Sequence, residues 1–140
     1  WPTARLTVVG RSPSPAVLAL ASDAVRVTGT VDDVRAWLQH AAVVVAPLRL
    51  ARGVQNKVLE AMAMGRPVVA ASACVEAIDA TAGQHLAAAT SAPDYVREIT
   101  RLLEEAPRAQ TMGQAGRECV ERRYAWDARL QPFATCLEAA

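Results

Sequence analysis

The stretch from Val43 to Ala71, VVVAPLRLARGVQNKVLEAMAMGRPVVAA, allows few folds. Val43–Ala46 is a short apolar, β-branched run closed by Pro47, and reads as a fully buried strand. A loop from Leu48 to Arg52 follows. Val54 to Met64 carries good helix formers with no internal breaker. Gly65 sits where a helix ends on a left-handed residue, and Pro67 bars continuation. Val68–Ala71 is a second apolar strand. Strand, loop, helix and strand in this order predict a β-loop-α-β unit with parallel strands and a right-handed crossover. The class is therefore α/β.

The helix has two faces. Val54, Val58, Ala61, Met62 and Gly65 recur at helical spacing and form the face expected against the sheet. Asn56, Lys57 and Glu60 fall within a narrow arc on the other side. In a parallel sheet the loop after a strand and the start of the next helix line the usual ligand crevice. Backbone N–H groups at a helix start favour an anion, phosphate above all, and Gly53 lets the chain approach it closely. Lys57 could neutralise phosphate, and Glu60 could accept hydrogen bonds from sugar hydroxyls. The competing reading is a solvated face with an incidental Asn56/Glu60 pair. Lys57 is the only lysine among fifteen basic residues, the rest being arginine.

The remaining segments extend the same alternation. Leu6–Gly10 and Val25–Thr28 read as strands, with a short helix at Val17–Ala21 between them and Arg11 as a surface residue. Asp32 or Asp33 can cap a helix at Val34–Ala41, whose stripe includes Trp37 as a core residue and which ends near His40 as a cap. Gly29-Thr30-Val31 forms the strand-end loop between them. Cys74–Ala80 reads as a loop and short helix with Glu76 solvated. His85 reads as a strand-start residue. Helices are expected at Ser91–Glu105, at about Pro107–Arg123 and at Asp127–Glu138.

One hundred and forty residues suggest one domain over residues 1–140. Apolar residues make up 52% and aromatics 4%, so Val, Leu and Ala must build the core. A net charge of +1 argues against nucleic acid as a partner. No apolar run approaches a transmembrane span and no signal peptide is visible, which points to the cytoplasm. Cys74, Cys119 and Cys136 lack metal-ligand spacing and read as free, buried or partly buried thiols. No Ser-His-Asp triad, paired-carboxylate site or metal cluster is legible.

G-V-Q-N-K-V-L-E-A-M-A-M-G-R-P-V-V-A resembles the donor-binding signature of the GT-B-fold, retaining glycosyltransferases called group 1. The resemblance implies a Rossmann-like three-layer domain with a parallel sheet of about five strands, the C-terminal half of a GT-B fold. It implies binding of a nucleotide-diphosphate sugar and retaining transfer of its sugar to a sugar or lipid-linked acceptor, without a metal or other cofactor. Glu60 matches the family's second signature Glu, which holds the ribose hydroxyls. Gly53, Val54, Gln55, Asn56 and Lys57 are implied around the diphosphate. Gly29 and Val31 match a Gly-x-Val loop beside the nucleobase, and Gln84–Ala89 resembles the family's last strand. The first signature Glu falls at Arg52, a departure that leaves Arg52 as a candidate contact to sugar or phosphate. Cell-surface polysaccharide assembly, with peripheral contact at the inner membrane face, is the context the resemblance implies.

The chain begins Trp1-Pro2 and is expected to be a fragment, lacking the N-terminal half of its enzyme and the family's first strand. Leu6–Gly10 is then expected to pair directly beside Val43–Ala46, or a neighbouring chain to supply the strand. A GT-B-fold nucleotide-sugar epimerase and a non-catalytic Rossmann-like interaction module are the rival readings.

Overall fold

The computed structural model describes residues 3–48 and 53–125. These form two compact units, Trp1–His40 and Ala41–Ala140. The first unit contains β1 (Leu6–Val9), α1 (Pro15–Leu18), β2 (Val25–Gly29) and α2 (Arg35–Leu38). The second contains β3 (Val44–Ala46), α3 (Asn56–Ala63), β4 (Val68–Ala71), α4 (Ser72–Ala77), β5 (Ala87–Ala89), α5 (Ala92–Glu104) and α6 (Ala106–Tyr124). The expected final helix at Asp127–Glu138 lies outside the described residues, as do Arg52 and Cys136.

All strand pairs are parallel, as expected. β1 pairs with β2, and β3-β4-β5 form a second sheet with β4 in the centre. The expected pairing of Leu6–Gly10 with Val43–Ala46 is not made: the ladders of β1 and β3 close within their own units. Unpaired backbone groups cost about 1–3 kcal/mol each when buried. The cost applies only away from water, and every residue of β1 is exposed or half-buried.

The core belongs to the second unit. Val69, Ala87, Ala89, Leu102 and Met112 are buried together, with Val43, Tyr95, Ile99 and Ala109 packed on them. Small strand residues allow α5 and α6 to come close to the sheet. α5 begins with a capping box: Ser91 Oγ accepts the Asp94 N–H, and the Asp94 carboxylate accepts the Ser91 N–H at 3.0 Å. The Ser91 hydroxyl, donating to the Asp94 carboxylate at 2.7 Å, then the Thr90 hydroxyl, Arg97 and the Ser91 N–H hold the Asp94 carboxyl well below the usual range. α6 approaches closer still. A Cβ on Gly113 would lie 2.2 Å from the Gly65 carbonyl oxygen, and one on Gly116 2.7 Å from the His85 carbonyl oxygen. Cys74 and Cys119 are free and buried, as expected. No described helix is long and apolar enough to cross a membrane.

Candidate functional site

α3 is fixed at its C-terminal end and on one face. Its C-terminus closes through two bonds, Gly65 N–H to Met62 O at 2.8 Å and Arg66 N–H to Ala61 O at 3.1 Å. Gly65 adopts φ +66°, the left-handed turn that such a closure requires. Val58, Ala61 and Met62 are fully buried. The exposed residues Asn56, Lys57 and Glu60 lie on the face opposite this buried one.

The N-terminus starts later than the sequence predicts. Gln55 is extended at φ −99° and ψ 105°, so Val54 lies before the helix and is 42% exposed rather than on the buried face. Gln55 Nε2 donates to Gly53 O at 3.3 Å, and no side chain caps the helix. The first amides of such a helix have no intrahelical acceptor, so a ligand anion is a fitting partner for them. Gly53 has φ +67°, and a Cβ there would meet nothing within 4 Å. The glycine is needed for backbone rotation rather than for space.

Behind this face lie groups that sequence reading treated as structural. The buried Cys74 thiol is pushed up by burial and held back by the Lys57 charge and a hydrogen bond with the Ala71 backbone. Tyr95 Oη donates to Ala46 O at 3.2 Å, tying the end of β3 to α5. Its phenol is pushed up by burial and by Cys74. The Lys57 charge thus reaches Cys74, just past the end of β4. Cys74 follows β4 by three residues, and that position was the signal available in the sequence. Among the described residues, neither Lys57 nor Glu60 is engaged in an ion pair.

Gly29 and Val31 belong to the first unit. Gly29 closes β2, and its carbonyl accepts the Gly10 N–H at 3.2 Å and the Thr28 hydroxyl at 3.0 Å. Val31 lines a hollow of about 400 Å³ with Thr30, Asp32, Asp33, Ala36 and Trp37. Trp37 is half-buried, and the Arg26 guanidinium sits 4.9 Å from its ring centroid. The expected Asp cap is not made: the N-cap of α2 is Val34, without a side-chain cap, and Asp33 one residue earlier accepts the Arg35 N–H at 2.9 Å. Its hydrogen bonds with the Arg35 side chain and N–H, and the Arg35 charge, lower its carboxyl pKa. His40 does not bond the helix carbonyls through its ring; its Nε2 meets the Gln39 amide at 3.1 Å.

A larger cavity of about 830 Å³ opens in the second unit where Ala41–Ala42 lead into β3 and Arg66–Pro67 lead into β4, against α6. It lies at the entry ends of these strands. Parallel sheets bind ligands at the opposite, carboxyl ends, so size does not make it the donor site. Among the described residues no group of three or more His, Cys, Asp or Glu could hold a metal ion.

In a parallel α/β fold, a helix start without a side-chain cap is a setting in which anions bind. The family described as "Glycosyl transferases group 1" matches residues 2–105, across both units, and this chain belongs to it. No curated protein matches the chain. Among solved structures, HepE of Anabaena in complex with UDP is similar at 18% identity and TM-score 0.86, over 100% of this chain and 42% of that one. HepE in complex with UDP-glucose superposes with TM-score 0.84 at 18% identity, again over 100% and 42% of the two chains. Sucrose-phosphate synthase from Thermosynechococcus elongatus is 23% identical, with TM-score 0.81 over 97% of this chain and 39% of that one. These likenesses establish the GT-B half-fold, and the chain spans about two fifths of these relatives' length.

Proposed function

We propose that this chain is the nucleotide-sugar-binding half of a glycosyltransferase. The observation that carries the reading is the start of α3, where Gly53 at φ +67° leads into an uncapped helix bearing exposed Asn56, Lys57 and Glu60. Family membership and the UDP and UDP-glucose complexes of HepE support it. On this reading the Gly53–Gln55 amides and Lys57 meet the diphosphate, whose charge grows as it leaves. Glu60 accepts from the ribose hydroxyls, and Arg52 contacts sugar or phosphate. The Gly29–Val31 loop serves the nucleobase. Transfer is proposed to retain anomeric configuration and to need no divalent metal, because amides and an ammonium supply the positive charge. Both halves of a GT-B enzyme line its cleft, so catalysis is assigned to the longer protein, acting on a sugar or lipid-linked acceptor in cell-surface polysaccharide synthesis on the cytoplasmic side.

Calorimetry with UDP, GDP and ADP tests the reading. One of them should bind weakly, and Lys57→Met should weaken the diphosphate by roughly tenfold while leaving the parent nucleoside unchanged. Equal losses for both ligands would remove the phosphate role of Lys57. In the longer enzyme Glu60→Ala should lower kcat/KM for the donor by about 1–3 kcal/mol in barrier terms.

A further inference from the structure

The loop between α4 and β5 is fastened to the last turns of α6 by a cluster that the donor site does not use. The Asp79 N–H donates to Tyr124 Oη at 3.0 Å, Cys119 Sγ donates to Asp79 O at 3.4 Å, and Arg123 pairs with the Asp79 carboxylate. Within the same loop His85 is 7% exposed, and its Nδ1 accepts the Thr81 N–H at 2.9 Å. Its carbonyl lies under Gly116 of α6, with no room for a Cβ between them.

That geometry assigns a protonation state. An Nδ1 that accepts a backbone N–H carries no proton, so the ring is neutral with its hydrogen on Nε2. A proton added at Nδ1 would set one N–H against another and place a cation in a buried site. We propose that His85 makes the junction between residues 79–85 and α6 an acid-sensitive latch, closed while the imidazole is neutral and opened by its protonation. Burial disfavours the imidazolium most, Arg123 and Arg122 of α6 oppose it next, and Asp79 of the loop favours it, with a net lowering of the pKa. A lowered pKa means that the open or unfolded state binds the proton more tightly. The stabilising contribution is therefore complete above the ordinary imidazole value of about 6.5 and is lost as pH falls below it, down to the ring's own lowered value. α6 also packs on α3, with Gly116 against Met62, so the latch bears on the helix pair that includes the candidate site.

NMR on the whole chain tests this. The imidazole nitrogen shifts should report Nδ1 as the unprotonated, accepting nitrogen at pH 7.5, and the ring should titrate below the ordinary imidazole range. Protection of the Thr81 amide should fall by up to about tenfold per pH unit across that window, as expected for one linked proton. His85→Gln should flatten the dependence, whereas His40→Gln should leave it intact, because His40 lies in the other unit and is exposed. If His85→Gln fails to fold, the wild-type titration decides alone. An Nδ1-protonated ring at pH 7.5, or a titration in the ordinary range with Thr81 protection unmoved, would overturn the proposal.

Discussion

The two units apply one strand-helix alternation with different coverage. In the second, the sheet β3-β4-β5 is packed by helices of up to 19 residues, and Val68, Val69, Ala70 and Leu86 are fully buried. In the first, β1 and β2 have only four-residue helices to cover them. No described residue there is buried, and Leu6, Leu18 and Leu20 are about half exposed. Parallel strands are stable when both faces are covered, and a two-stranded sheet is marginal on its own. Matching strand sequences do not make matching cores. Helix length decides how much strand becomes interior.

Substitutions of similar chemistry should separate the units. The largest effect is expected from Leu86→Ala, which empties a fully buried site and should cost about 2–5 kcal/mol in urea unfolding. Gly113→Ala should follow at about 1–3 kcal/mol, because its Cβ would press on the Gly65 carbonyl; unchanged stability would mean that α6 can shift away. Ser91→Ala removes the cap of α5 and should cost about 1 kcal/mol. The smallest is Leu18→Ala in the first unit, within about 0.5 kcal/mol, since the side chain is 52% exposed. A loss at Leu18 equal to that at Leu86 would erase the contrast.

Much of the second unit is legible in the sequence, for identifiable reasons. β4 is an apolar run bounded by Pro67, and Gly65 is placed where only a left-handed residue closes a helix. The face Val58-Ala61-Met62 follows helical spacing. Val54 fits the same spacing and fails, because Gln55 is extended and the helix starts after it. Gly113 and Gly116 are illegible for a different reason. A glycine within a helix reads only as a local weakness, and its use appears when a distant carbonyl is found against it. His85 shows the same limit: the sequence places it at a strand start, but its bond to Thr81 and its burial come from packing. In the first unit Trp37 carries the signal of a core residue but is half-buried, and the described helices there are only four residues long. At the candidate site, the Asn56-Lys57-Glu60 row is legible from helical spacing, whereas the reach of the Lys57 charge to Cys74 comes from packing.

The central claim is that the start of α3 in the second unit receives a nucleotide diphosphate. The most direct measurement is a residue-resolved amide-shift titration of the chain with UDP, GDP and ADP at millimolar concentrations. The account predicts saturable shifts at Gly53, Asn56 and Lys57 with at least one of the three, strongly reduced in Lys57→Met. Saturable binding with its shifts confined to other residues, or no shift at α3 with any of the three, would contradict it.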